Sequence, residues 1–221
     1  MKTRLLFATT FLLTCTGFAF AQPLPLAAAP TMDGMAMDAA APVAAPKLQA
    51  AMRSLWHEHV VHTREYALAV HAHDAAKAKA AEDAVVANAK AIANAVGSFY
   101  GKAAGDQMLT LLAGHWGGVK ALTNAVNAHD TAGQAAAMNA LNANVTDIAK
   151  FLAAANPNLP EPTVASLLEG HVAHHSAQIQ EIMSGDIKAE ATTWTAMQQH
   201  MNVIADALAG AIAKQFPAKA A

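Results

Sequence analysis

Three histidines of this chain stand at one fixed interval. His59, His115 and His171 are separated by 56 residues at each step. Their flanks repeat with them: Leu55-Trp56-His57-Glu58-His59-Val60, Leu111-Leu112-Ala113-Gly114-His115-Trp116 and Leu167-Leu168-Glu169-Gly170-His171-Val172. Asn88, Asn144 and His200 keep the same step, as do Asp74, Asp130 and Asp186. A period of this kind reads as one supersecondary unit copied three times, each copy burying the apolar face of its neighbours. The chemistry it suggests is metal binding. Neutral imidazole suits zinc and copper, and three or four of them complete a site without sulfur. His59, His115, His171 and His200 are the candidate ligands. His62 and His174, one turn from His59 and His171, are secondary ones. Asn88 and Asn144 would hold an imidazole N–H in place from behind. The same residues also suit a purely structural layer, because a buried imidazole and an amide each both donate and accept hydrogen bonds.

These side chains need elements that bring them together. From Leu48 onward the chain is rich in Ala, Leu, Val, Lys and Gln, which is helical composition. Each repeated Asp is placed to cap a following helix. Gly97 to Asp106 separates the first and second units, and Asn156-Pro157-Asn158-Leu159-Pro160-Glu161-Pro162 separates the second and third. The expected helices are 48–72, 75–98, 104–128, 131–155, 162–184 and 187–215. The fold class is therefore all-α, a bundle of six helices built from three αα-hairpins. Within the first hairpin His59 lies 15 residues before Asp74 and Asn88 lies 14 after it. Antiparallel helices rise equally per residue, so the two side chains share one height. The same holds for His115 with Asn144 and for His171 with His200. If the hairpins close around one axis, all six lie in a single layer.

Around that layer the units differ. His62 is matched by Gly118 and His174, and the third unit carries a local His171/His174/His175 cluster. The first unit adds Glu58, Arg64 and Tyr66, whereas the second has only glycines near its histidine. His71, His73 and His129 belong to hairpin tips and His57 to an outer face. Trp56, Trp116 and Trp194 read as core or interface residues.

The ends suggest export. Lys2 and Arg4 precede an apolar run from Leu5 to Phe18, and Ala19-Phe20-Ala21 fits a small-x-small cleavage site. The expected domains are thus a signal peptide at 1–21, an Ala/Pro/Met-rich tether at 22–46 and a helical domain at 47–217. The single cysteine, Cys15, falls in the leader, so the mature chain offers no thiolate and no disulfide. The mature chain keeps 12 basic against 16 acidic side chains, which argues against nucleic acid or an anionic membrane surface as partner. The apolar run is short for a membrane span. Met32, Met35 and Met37, with Asp33 and Asp38, would suit Cu(I), and the same segment also reads as a bland linker.

Other chemistries fail on spacing. A zinc-protease His-Glu-x-x-His would need histidine at Val61, and Glu-x-x-His di-iron pairs would need it at Val61 and Val172. Covalent haem lacks its Cys-x-x-Cys-His, while non-covalent haem between two histidines stays open. No nucleophile triad, phosphate loop or dinucleotide fingerprint occurs, and nothing asks for catalysis.

Leu55-Trp56-His57-Glu58-His59-Val60-Val61-His62-Thr63-Arg64, Phe99-Tyr100-Gly101, Asn142-Ala143-Asn144, Ala155-Asn156-Pro157 and Gln215-Phe216-Pro217 resemble the recurring elements of a group of small exported bacterial all-helical proteins. The resemblance runs from Leu48 to Phe216. It implies the helical fold and the domain limits, and it brings no catalytic residues. The methionine segment and the His62/His174 pair depart from the group. The expectation is a periplasmic or secreted protein that binds copper or zinc for sequestration, delivery or tolerance. A scaffold module with a structural layer and a haem or redox carrier are the alternatives.

Overall fold

A computed structural model describes residues 45–220, and all of its regular elements are helices. They are α1 (Pro46–His71), α2 (Ala75–Tyr100), α3 (Lys102–Asn127), α4 (Thr131–Ala155), α5 (Glu161–Ser184), α6 (Ile187–Gln215) and α7 (Pro217–Ala220). The expected signal peptide and most of the tether, including Met32, Met35 and Met37, lie outside the described residues. No helix among the described residues is long and apolar enough to cross a membrane.

Two boundaries differ from the sequence expectation. A seventh helix of four residues follows α6, started by Pro217, whose fixed φ suits a first helical turn. The separator between the first two hairpins shrinks to Gly101 alone, between α2 and α3. Gly101 has φ +92°, which lets one residue reverse the chain. The helices then touch closely, since a Cβ on Gly105 would stand 2.9 Å from the Ala93 carbonyl oxygen.

At the opposite end the three hairpins turn alike. Asp74, Asp130 and Asp186 accept hydrogen bonds from the backbone N–H of Lys77, Gly133 and Ala189 at 3.0, 2.9 and 3.0 Å. Such a cap satisfies one of the free N–H groups that begin every helix. The residue before each Asp (His73, His129 and Gly185) has positive φ.

Helices α1, α3 and α5 touch one another in the centre. Each outer helix packs against two of them: α2 on α1 and α3, α4 on α3 and α5, α6 on α5 and α1. The last of these contacts closes the ring. Alanine permits the close approach, as Ala149, Ala205 and Ala209 are fully buried among Val60, Leu141, Val145 and Met197.

Polar ties fasten both ends. Near the hairpin tips, Arg64 of α1 donates to Glu190 of α6 at 2.6 and 2.9 Å, and Gln178 of α5 donates to the same carboxylate at 2.9 Å. The Arg64 guanidinium also lies 5.1 Å from the Trp194 ring centre. At the other end Asn156 donates to the Tyr100 hydroxyl at 2.8 Å, Tyr100 donates to Gln215 at 3.1 Å, and Gln215 donates to the Ala155 carbonyl at 3.1 Å. Phe216 packs on Tyr100 with ring centres 5.0 Å apart. The Phe99-Tyr100-Gly101, Ala155-Asn156-Pro157 and Gln215-Phe216-Pro217 segments therefore meet at this end. The histidines lie between the two ties.

Candidate metal centre

The inner helices carry His59 (α1), His115 (α3) and His171 (α5) to the centre of the bundle. Their ring centres form a nearly equilateral triangle with sides of 6.0, 5.7 and 5.5 Å. His175, one turn along α5, stands over that triangle. Its ring centre is 4.3 Å from His171 and 6.0 Å from both His59 and His115. All four residues are buried, and one nitrogen of each lies within 4.8 Å of the others. A tetrahedral ion held at about 2.0–2.1 Å sets its nitrogens about 3.4 Å apart, so the rings need to close by about 1 Å. One pair is already there, with His171 Nε2 and His175 Nε2 at 3.1 Å. The arrangement can hold a metal ion through imidazole nitrogen alone.

The outer helices set the height of this cluster through three matching hydrogen bonds. Asn88 Nδ2 donates to the Leu55 carbonyl at 2.9 Å, and Asn144 Nδ2 to the Leu111 carbonyl at 3.0 Å. In the third hairpin His200 Nε2 donates to the Leu167 carbonyl at 2.7 Å. Each accepting leucine lies one turn before its histidine. With its Nδ2 donating, Asn144 turns Oδ1 toward His115 Nδ1 at 3.2 Å. That oxygen can only accept, so His115 carries its proton on Nδ1 and frees the Nε2 lone pair. The equivalent atoms of the first hairpin, Asn88 Oδ1 and His59 Nδ1, are both buried without a partner. So are their counterparts in the third, His200 Nδ1 and His171 Nδ1.

His200 therefore does the work of an asparagine. A neutral ring that donates from Nε2 has an acceptor left at Nδ1, the same pair of functions as an amide. The helix opposite is shaped for this contact. A Cβ on Gly170 would lie 3.1–3.2 Å from the His200 ring, and one on Gly114 would lie 3.1 Å from Asn144 Nδ2. In the first hairpin Glu58 stands at that position, and its Oε2 accepts weakly from Asn88 Nδ2 at 3.4 Å.

The electrostatics are those of neutral rings. Burial, followed by His115 and His62, pushes His59 down to about 3. Burial pushes His115 down to about 4, opposed by its bond to Asn144. His171 and His175 are also held well below the ordinary histidine value, by burial first and then by the other rings. Lone pairs thus stay available to an ion in mild acid. Both nitrogens of His59 and Nε2 of His115 are buried without hydrogen-bond partners. Unpaired buried groups cost about 1–3 kcal/mol each, and a shared ion would offset that cost.

The residues singled out from the sequence divide cleanly. His59, His115 and His171 are brought together. His200 lies outside the set of converging nitrogens, because its Nε2 is spent on Leu167, and His175 stands fourth instead. His174 is half-buried beside His200, with ring centres 5.2 Å apart. His62 faces outward and pairs with Glu65 at 2.9 Å. His175 is the converging histidine that the sequence reading did not single out as a candidate ligand. Its counterparts at the 56-residue step, Thr63 and Val119, are both buried, and Val119 was the available sign that this position faces inward. The cavity beside the cluster measures about 30 Å³, against the several hundred that a large planar ligand occupies.

No protein-family model, curated protein or solved structure matches the chain.

Two outcomes are expected. His200→Asn keeps the donor to Leu167 and stays within about 1 kcal/mol of the parent, whereas His200→Ala loses that bond, empties the space of the buried ring and costs about 3 kcal/mol in urea unfolding. Equal losses would contradict the amide-like role. Second, the unfolded chain binds protons at histidine before the native chain does. Stability of metal-free protein is therefore full above pH about 6.5 and falls as pH drops toward 4. His59 and His115 should each forfeit about 2 kcal/mol by pH 5, read from urea midpoints. A flat profile would mean that these rings are not buried neutral.

Proposed function

We propose that the chain is an exported metal-binding protein holding one copper or zinc ion between His59, His115, His171 and His175. The observation that carries this reading is the convergence of four buried imidazoles whose nitrogens are largely unpartnered. An all-imidazole donor set suits both metals, and its lack of sulfur and carboxylate argues against calcium or magnesium. Asn144 positions His115, while Asn88 and His200 stand where they would position His59 and His171 as an ion draws the rings inward. Export rests on the leader-like residues before Gln22, and the three hairpins read as copies of one ancestral unit.

The four candidate ligands are all buried, which suits sequestration, delivery or tolerance better than turnover of a substrate. The methionines at 32, 35 and 37 would serve as a Cu(I) handover segment ahead of the bundle. A second reading has its own observation in its favour. The bonds to the Leu55, Leu111 and Leu167 carbonyls fix the register between the two helices of each hairpin whether or not an ion is present. On that view the bundle is a scaffold module.

Native mass spectrometry of stripped mature protein offered Cu(I), Cu(II) or Zn(II) separates the two. The metal reading expects one ion in the parent and in His200→Asn, and none in a His115→Ala/His175→Ala variant. Ligand at a hundredfold excess over its dissociation constant should also raise stability by about 2.7 kcal/mol. A parent that takes up no ion, with the double variant merely less stable, would leave the scaffold reading.

A further inference from the structure

Below the triangle of His59, His115 and His171 lies a cavity of about 30 Å³. All three rings line it, and His175 does not. The α5 residues that line it, Val164, Leu167 and Leu168, precede His171, whereas His175 follows it. The cavity and His175 therefore lie on opposite sides of the triangle. An ion in the plane of the three rings has two axial directions, one toward His175 and one into this cavity.

The walls select what can enter. Apart from the three histidines the lining is apolar, with Leu112, Ile148, Leu168, Ile204 and Leu208 among its members and Trp56 the one other side chain with a polar atom. A charged ligand would lose its hydration with nothing to replace it. Water needs two to four polar partners in such a place and finds few. The space is about twice the roughly 10–15 Å³ that one water-sized particle requires, enough for a second atom and too small for an organic substrate. The indole N–H of Trp56 is buried without an acceptor. It is the only donor that the lining offers besides the imidazoles.

We infer that the cavity is the binding site for a neutral diatomic gas (dioxygen, nitric oxide or carbon monoxide) coordinated to the ion on the face opposite His175. The inference rests on the metal reading above and names the ligand class of that same centre. The step needs the Cu(I) form: one coordinate bond would form, with the gas donating a lone pair, the filled d shell donating back, and no electron or proton leaving the protein. In a four-coordinate state the gas and His175 are alternatives for the fourth position.

Carbon monoxide on Cu(I)-loaded mature protein is the probe, read by the infrared C–O stretch after uptake of one Cu(I) has been verified. Ala207 lines the cavity, so Ala207→Leu fills it without touching a histidine. Xenon, followed by its NMR shift in metal-free protein, reports separately whether the cavity is accessible and whether the folded variant has closed it. The expected result is a single sharp C–O band in the parent and in His175→Ala, at least tenfold weaker in Ala207→Leu, which still binds Cu(I) but excludes xenon. Cu(I) uptake with no C–O band, or a band unchanged in the xenon-excluding variant, overturns the gas site and leaves the metal centre standing. Failure to take up Cu(I) or any other ion overturns the metal reading and this inference with it.

Discussion

Three side-chain hydrogen bonds to backbone carbonyls set everything else in this bundle. Asn88, Asn144 and His200 each reach across their hairpin to a leucine carbonyl one helical turn before a histidine. A carbonyl in a helix already accepts one bond and has a lone pair to spare, so the contact forms without unwinding the helix. It does form only at one register. Sliding one helix of a hairpin past the other by a turn would move the histidine about 5.4 Å from its partner and strand a buried amide. Each member of the central triangle is fixed by the same kind of bond to its own outer helix.

What the triangle lacks is as informative as what it has. Among the described residues no carboxylate joins the rings, and burial keeps them uncharged, so the cluster is a set of lone pairs rather than a set of charges. The least exposed ion pair among the described residues, Arg64 with Glu190, belongs to the tie at the hairpin-tip end and is completed by Gln178. Its carboxylate is held below the ordinary range chiefly by the bond from Arg64. Charge and ligand chemistry are thereby kept on different levels of one core. The near-threefold pattern is broken at the centre by His175 alone, which makes α5 the helix that supplies two of the four nitrogens.

Much of this was legible in the residues, for a simple reason. Equal rise per residue turns a sequence distance from Asp74 into a height, so His59 and Asn88 could be paired before any coordinates existed. The capping role of Asp74, Asp130 and Asp186 followed from residue type and place. Closure of the ring did not follow, because it depends on α6 packing against α1, a contact between the two ends of the domain. The choice of fourth imidazole was also hidden. A neutral imidazole and a carboxamide offer the same donor and acceptor, and in the structure His200 makes the bond to Leu167 that Asn88 and Asn144 make to their own leucines. On α5, spacing alone could not say whether His174 or His175 turns inward. Only the burial of Val119 and Thr63 at the matching step distinguishes them.

The central claim is that the ion is held by imidazole nitrogen in the core and not by the methionine segment ahead of it. X-ray absorption at the metal edge of the loaded mature protein tests this most directly. The account expects a first shell of nitrogen at about 2.0–2.1 Å, with the outer-shell multiple scattering of three to four imidazoles and no sulfur. A first shell containing sulfur at about 2.3 Å, or oxygen with fewer than three imidazoles, would contradict it.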